Sequence, residues 1–454
     1  MEKFFIQKWK HKIQSSSFIK SVLTLSAGVV VSQLVSLIAT PILSRIYDPH
    51  VLGDFSILTS NTTIIGTVIT MGFLSAIMLP EDDDEAKGLC RLLAKLITGC
   101  STVLLVVLVL TPKYQLFSVS IDYPLACIAL WSIVLLDNLS SLCYSYVNRQ
   151  KIYKVLFWNP SLGTISNTLV NIIMGMMGFG LWGYICSRVI SSILVICHML
   201  YHANPFVGKI QHRSIALMRQ YRNFPLVLLP SNLIGTLSAQ LPVLMLDKFW
   251  GSFALGNYSM CMNIMNLPKK FLAAPVNRVF YREATERINR GENIGEFAFS
   301  LVNTNVKLAL IPVVLVIAFG EPIFVLILGD QWAIAGKMAS VMSFYILLSF
   351  CTSCLSGKFV IIGKKTTILI MNIVVLCTNY ITFIICNLLD FSAFTTVTIF
   401  SIIGCILSLI DLAIFMKQTN ISIAKYVCFI VTHLLLPVAG AVLLRLAIQN
   451  LLFV

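Results

Sequence analysis

The sequence predicts an all-α polytopic membrane protein: two six-helix lobes with pseudo-two-fold symmetry around a central cavity, plus one extra C-terminal transmembrane helix. Three observations carry that expectation. Of the 454 residues, 57% are hydrophobic and only 11% are charged, where a soluble domain holds roughly a quarter charged residues. The apolar residues gather in runs of about 20 or more, long enough to cross hydrocarbon as helices. They are continuous rather than alternating with period two, which disfavours a spanning sheet. And one motif occurs twice, in the same slot of each half of the chain.

That motif is Leu43-Ser44-Arg45-Ile46-Tyr47-Asp48-Pro49-His50-Val51-Leu52-Gly53-Asp54-Phe55-Ser56. It returns as Leu246-Asp247-Lys248-Phe249-Trp250-Gly251-Ser252-Phe253-Ala254-Leu255-Gly256-Asn257-Tyr258-Ser259, at a constant offset of 203 residues. A basic residue, an aromatic and then Leu-Gly-polar-aromatic-Ser recur in register. Each copy lies where the first apolar run of a half ends and the second begins. A repeat at that scale means a chain built of two similar halves.

The first run follows a basic tail, 1–20, that holds Lys3, Lys8, Lys10, Lys12 and Lys20. It is too long for a signal-peptide core and lacks a small-x-small cleavage site, so it is expected to stay as a span. Runs at roughly 21–46, 56–79, 89–111, 123–148, 156–178 and 181–202 make the N-lobe, 21–207. Runs at roughly 225–249, 254–282, 297–319, 335–361, 366–388 and 393–416 make the C-lobe, 208–417. Six crossings separate the two motif copies, the even number that equal orientation requires. A last run at roughly 426–449 supplies the extra helix of 418–454, with His433 read as a packing residue.

The net charge is +14, but its distribution argues against nucleic acid. Lys and Arg crowd alternate loops: the N-terminal tail, Arg149 to Lys154, Lys209 to Arg222, and Arg278 to Arg290. This positive-inside pattern places the N-terminus in the cytoplasm and predicts contact with anionic membrane lipids. Thirteen Cys are scattered through the apolar runs; Cys351 and Cys354 are read as packing residues, since no His or second pair accompanies them. The acidic run Glu81-Asp82-Asp83-Asp84-Glu85 is read as a helix-start cluster rather than a metal site.

Signatures of soluble catalysis are missing. Gly363-Lys364-Lys365-Thr366 lacks the earlier Gly and the Ser/Thr of a phosphate loop, and no His-Glu-x-x-His or Gly-x-Ser-x-Gly occurs. The chain is expected to be no enzyme and to need no cofactor. What remains is polarity inside the spans. Ser259, Asn263, Asn266, Lys270 and Asn277 fall at steps of 4, 3, 4 and 7, one face of a helix. A charge at a span centre costs about 2.5–3.5 kcal/mol on insertion scales, so this face should meet a water-filled cavity or a partner. Lys269 lies about 100° round the helix from Lys270, and Lys270 is the candidate.

Asn232, Thr236, Gln240 and Asp247 give the seventh span a similar face, while the hydroxyls of Ser60, Thr63, Thr67 and Thr70 are expected to bond back to their own helix. Arg188 and Lys307 are further basic cavity candidates. Asp137 is either an ion-coupling carboxylate or the partner of an Arg or Lys. Arg45, Lys248 and Asp247 are candidates for an outer gate, whereas Lys358, Asp411 and Arg445 are assigned to span ends, where snorkelling explains them. Pro268 and Pro275 flank the lysines, on a helix able to bend.

Thr40 to Pro49 followed by Leu52-Gly53-Asp54-Phe55 resembles the first-to-second helix signature of the polysaccharide transporter family, the Wzx-type repeat-unit flippases. Leu79-Pro80-Glu81-Asp82-Asp83-Asp84-Glu85-Ala86 is similar to the acidic stretch that follows in that family. Leu52 stands where an aromatic is expected, and a thirteenth span exceeds the twelve-helix core. The resemblance implies the fold of the multidrug/oligosaccharidyl-lipid/polysaccharide exporter superfamily, with its lobes related by an axis along the membrane normal and a cationic cavity between them. It also implies an undecaprenyl-pyrophosphate-linked oligosaccharide as cargo, moved between leaflets of the bacterial inner membrane by alternating access coupled to an ion gradient. A polysaccharide polymerase and chain-length regulator proteins are the partners it implies. A pyrophosphate needs positive charge in a low-dielectric cavity, and sugars need amide and hydroxyl walls; the residues above supply both.

Three rival functions are weighed against this one. A repeat-unit polymerase or ligase should carry a sizeable outer loop with Arg or His, which the chain lacks. A drug/cation antiporter should bias its mid-span charges to acidic residues, and here they are mostly basic. A lipid II flippase shares the cargo chemistry and is separated only by the family resemblance.

Overall fold

The computed structural model describes residues 17–110, 122–207, 214–222, 224–432, 437 and 439–440. No strand occurs among the described residues, and nine of their helices are long and apolar enough to span a bilayer. The protein is a multi-pass helical membrane protein, as its composition predicts. The long helices are α1 (Ser17–Ile46), α2 (Pro49–Thr70), α3 (Asp83–Leu110), α4 (Tyr123–Arg149), α5 (Tyr153–Met176) and α6 (Leu181–His202). There follow α7 (Leu229–Met265), α8 (Ala274–Asn289), α9 (Gly295–Leu328), α10 (Ala333–Cys354), α11 (Lys365–Leu388) and α12 (Ala393–Gln418). The short α13 (Ile423–Ile430) opens the expected thirteenth span, most of which, with His433 and Arg445, lies outside the described residues.

The breaks between helices follow local chemistry. Asp48 caps α2, its Oδ1 accepting the Val51 N–H at 2.9 Å, and Pro49 takes the first helical position. Ser392 caps α12 in the same way, accepting from the Thr395 N–H at 3.1 Å. The predicted seventh and eighth spans run on as α7, but Gly251 (φ 77°, ψ 177°) interrupts the ladder at the boundary between the two apolar runs; only glycine adopts that backbone readily. The predicted ninth span was expected to end near residue 319. Instead α9 kinks at Phe319 (φ −123°, ψ 18°), between Pro312 and Pro322, and continues to Leu328.

By their internal contacts the residues divide into two units. One takes in the chain up to Leu43 and Asn61–Leu233; the other takes in Ser44–Ser60 and Ile234–Val454. In the first, α3 packs on α4, and α6 packs on α4 and α5. In the second, α9 packs on α10, and α12 packs on α10 and α11. The same order of partners recurs in each unit. Helix α10 is the buried post of the second: Met338, Met342, Leu347, Cys351 and Cys354 are all sealed within it, and its two thiols are packing groups.

The two motif copies meet inside the second unit. A Cβ on Gly53 would lie 1.9 Å from the Ser252 carbonyl oxygen, and a Cβ on Gly256 would lie 1.7 Å from that of Pro49. Since Ser252 is the counterpart of Pro49 and Gly256 that of Gly53, the contact is reciprocal, as across a local two-fold axis. His50 and its counterpart Phe253 face each other at 5.1 Å between ring centroids. The Ser44 hydroxyl donates to the Leu328 carbonyl at 3.0 Å, and the Ser44 carbonyl accepts from the buried Trp332 indole at 2.8 Å and from Gln331. These bonds hold Ser44–Ser60 in the second unit.

Backbones this close leave no room for a methyl group. Gly53→Ala or Gly256→Ala is expected to cost about 1–3 kcal/mol, the usual range for overpacking. Gly235→Ala, on α7 with open space around it, is the control. Thermal unfolding of the purified protein should show a lowered midpoint for the first two only.

Candidate functional site

The eighth-span polar face is not one uninterrupted stripe. After Met265 the α-ladder breaks, and Lys269–Ala273 form a π turn that leads into α8. Ser259 is buried, Asn263 exposed and Asn266 half-buried, and Lys270, within the π turn, is exposed. The Asn266 amide points back at the Met262 sulfur, 3.9 Å away. Lys269 turns into the second unit, where its Nζ donates to the Ser349 hydroxyl of α10 at 3.2 Å. Neither Lys269 nor Lys270 forms an ion pair among the described residues. A π turn inside an α-helix often marks a functional site.

Beside Lys269 lies a cavity of about 410 Å³, walled by α10, the turn after it, α11 and α12. At its side the Lys358 ammonium sits 2.5 Å from the Asp411 carboxylate. The Lys358 side chain is only 7% exposed, so the span-end snorkelling expected for these two residues is corrected. The run 335–361 is not one helix: Gly357 (φ 84°) ends the turn after α10 and aims Lys358 inward, toward Asp411. The Gly in Ser356-Gly357-Lys358 was the signal available for this. Pairing across 53 residues was not legible.

In the first unit Asp137 is fully engaged. Its Oδ2 accepts from Arg188 Nε at 3.2 Å and Nη2 at 2.9 Å, and its Oδ1 accepts from the Ser192 hydroxyl at 3.1 Å. Of the two readings open for Asp137, this is the geometry of an Arg partner that ties α4 to α6. The acidic run stands at the first turn of α3, where Lys87 pairs with Asp83 at 3.0 Å and Gln150 donates to Asp83. Glu85 accepts from Gln220 and Tyr221, and burial, reinforced by that carboxylate, pushes the Tyr221 hydroxyl up to about 12. Thr67 and Thr70 bond back to the Thr63 and Gly66 carbonyls of α2, as expected of hydroxyls in spans, but the buried Ser60 hydroxyl, of which the same was expected, has no partner among the described residues.

The other candidates stand separately. Lys307 is exposed on α9, and Asn232 is exposed near the start of α7. Gln240 and Asp247 are half-buried, while Arg45 and Lys248 are exposed, Lys248 over the Phe249 ring at 5.6 Å. No cluster of three or more His, Cys, Asp and Glu side chains able to hold a metal occurs among the described residues.

The chain is similar to an inward-closed lipid II flippase MurJ, with a TM-score of 0.65 and 14% identity over 95% of this chain and 99% of that one. It is also similar to an outward-facing multidrug resistance MATE family transporter of the MOP superfamily, at 0.56 and 13% over 89% and 97%. A MOP superfamily transporter from Pyrococcus furiosus matches at 0.56 and 12% over 88% and 95%. This is the fold of the MOP transporters. Within it, the polysaccharide biosynthesis protein family matches residues 42–339, and the chain belongs to that family. The succinoglycan biosynthesis transport protein ExoT of Rhizobium meliloti (strain 1021) is 21% identical over 317 residues, 67% of this chain and 61% of that protein.

The buried pair yields a test of its own. Lys358→Met leaves Asp411 without its counter-ion and is expected to destabilise the protein by about 3–5 kcal/mol, whereas Lys358→Met with Asp411→Leu removes both charges and recovers most of that loss. Thermal melts of the single and double variants check this; an equal loss in both would show that the pair is not the stabilising unit.

Proposed function

We propose that this protein is a flippase that moves undecaprenyl-pyrophosphate-linked oligosaccharide repeat units, of the O-antigen or capsule class, from the inner to the outer leaflet of the bacterial plasma membrane. It works by alternating access coupled to an ion gradient, with the N-terminus in the cytoplasm, and performs no covalent chemistry. A polymerase and a chain-length regulator then receive the cargo. The observation that carries this reading is the pair Lys269 and Lys270: adjacent cations on a π turn that form no ion pair among the described residues. Such a site seeks an anion with several acceptor oxygens, and a pyrophosphate is one.

Membership of the polysaccharide family supports a lipid-linked glycan as the cargo. Two ion pairs argue against the cation-antiporter alternative, because Asp137 and Asp411, two of the carboxylates in the spans, are already occupied by Arg188 and Lys358. Lys307 is a second candidate contact for the headgroup.

A strain lacking the gene should lose surface polymer and regain it with the unaltered protein. Lys270→Ala should restore about a tenth or less of that polymer, as expected for loss of one charge-assisted contact of about 1.5–3 kcal/mol. Immunoblots of surface polysaccharide at matched protein levels provide the measurement, and full restoration by Lys270→Ala would remove that residue from the site.

A further inference from the structure

We infer that the cavity among α10, α11 and α12 is a sugar subsite, which takes one or two rings of the oligosaccharide that the proposed function assigns to this protein and so rests on that reading. Its volume, about 410 Å³, lies in the range of small-molecule sites, roughly 300–1,000 Å³. Its walls mix apolar side chains such as Ile368, Val375 and Leu407 with hydroxyls, amides and a charged pair.

Three of the lining residues carry groups suited to a sugar: the Tyr345 hydroxyl and the side-chain amides of Asn372 and Asn379, the last only 5% exposed. Tyr345 is fixed in place: its ring lies against Gly404, where a Cβ would come within 2.5 Å, and meets the Phe400 ring edge-on at 5.6 Å. Its hydroxyl is therefore preorganised rather than free to seek another partner. The Ser238 hydroxyl of α7 donates to the Asn372 carbonyl at 3.3 Å, which pins the backbone behind that amide.

The charges select the ligand. Asp411 is the single carboxylate among the lining residues, and the Lys358 ammonium already holds it. A metal cation would have to displace that buried ammonium. The pair nonetheless keeps hydrogen-bonding capacity, since an ammonium has three donors and a carboxylate about four lone-pair sites. Vicinal hydroxyls donate and accept at once, so they can bond the amides, the phenol and both members of the pair without adding net charge. Lys269, bonded to the lining residue Ser349, sets the neighbouring headgroup site next to this cavity.

The test separates sugar from headgroup. The purified full-length protein in nanodiscs is titrated with two lipids: undecaprenyl pyrophosphate carrying the oligosaccharide, extracted from the cells that make it, and bare undecaprenyl pyrophosphate. Asn379→Leu should weaken the glycosylated lipid about tenfold, the effect of one ordinary hydrogen bond lost, and leave the bare lipid unchanged. Tyr345→Phe, which keeps the ring and its packing, should act in the same direction about threefold. Lys270→Ala should weaken both lipids alike. Unchanged affinity for the glycosylated lipid in folded Asn379→Leu and Tyr345→Phe overturns the subsite, and so does an equal loss for both lipids. Should Asn379→Leu fail to fold, Tyr345→Phe decides alone. Binding of neither lipid by the unaltered protein overturns the flippase reading and the subsite with it.

Discussion

The structure depends on a backbone-to-backbone contact that two absent methyl groups make possible. In a bilayer, helices gain nothing by hiding apolar surface from lipid, so association rests on close packing and on polar bonds between chains. Gly53 over Ser252 and Gly256 over Pro49 provide the first. The Ser44 carbonyl, shared by Trp332 and Gln331, provides the second. The first half of the chain thereby contributes the start of α2 to the unit built by the second half, and the two motif copies become one another's partners.

This is also why the repeat could be read at all. Residues that pack against the other copy of their own motif across a local dyad are constrained twice over, so Leu-Gly-polar-aromatic-Ser returns at an offset of 203 while the intervening helices share only their order of packing. Long apolar runs and glycine breaks are local features, and they marked the helices down to the interruption at Gly251. The extension of α9 past Phe319 escaped because Phe319 and Gly320 look like an ending. The π turn at Lys269–Ala273 escaped because hydrogen-bond register is not written in residue type, even with Pro268 and Pro275 beside it.

The candidate site shows the same division. Which polar residues lie in apolar helices was plain, and Lys270, Asp137 and Arg188 were singled out. Which of them are already bonded was not, since a partner 51 or 53 residues away leaves no periodic trace. The structure sorts these charges into two kinds. Arg188 with Asp137 and Lys358 with Asp411 are closed units that hold helices together. Lys269, Lys270 and Lys307 have no carboxylate beside them among the described residues. The amides on α11 escaped for a simpler reason: Asn372 and Asn379, seven residues apart, stand on a helix otherwise rich in Ile, Val and Leu.

That division has an electrical consequence. A closed ion pair carries no net charge, so the helices it joins can shift along the membrane normal without work against the membrane potential. The adjacent lysines of the π turn are different: each elementary charge carried through 100 mV is worth about 2.3 kcal/mol. An empty carrier that moves them would feel the voltage, and an anion seated against them would mask it. The same potential would then act on the unloaded and loaded protein unequally, giving the return stroke a different sensitivity to voltage from the forward one.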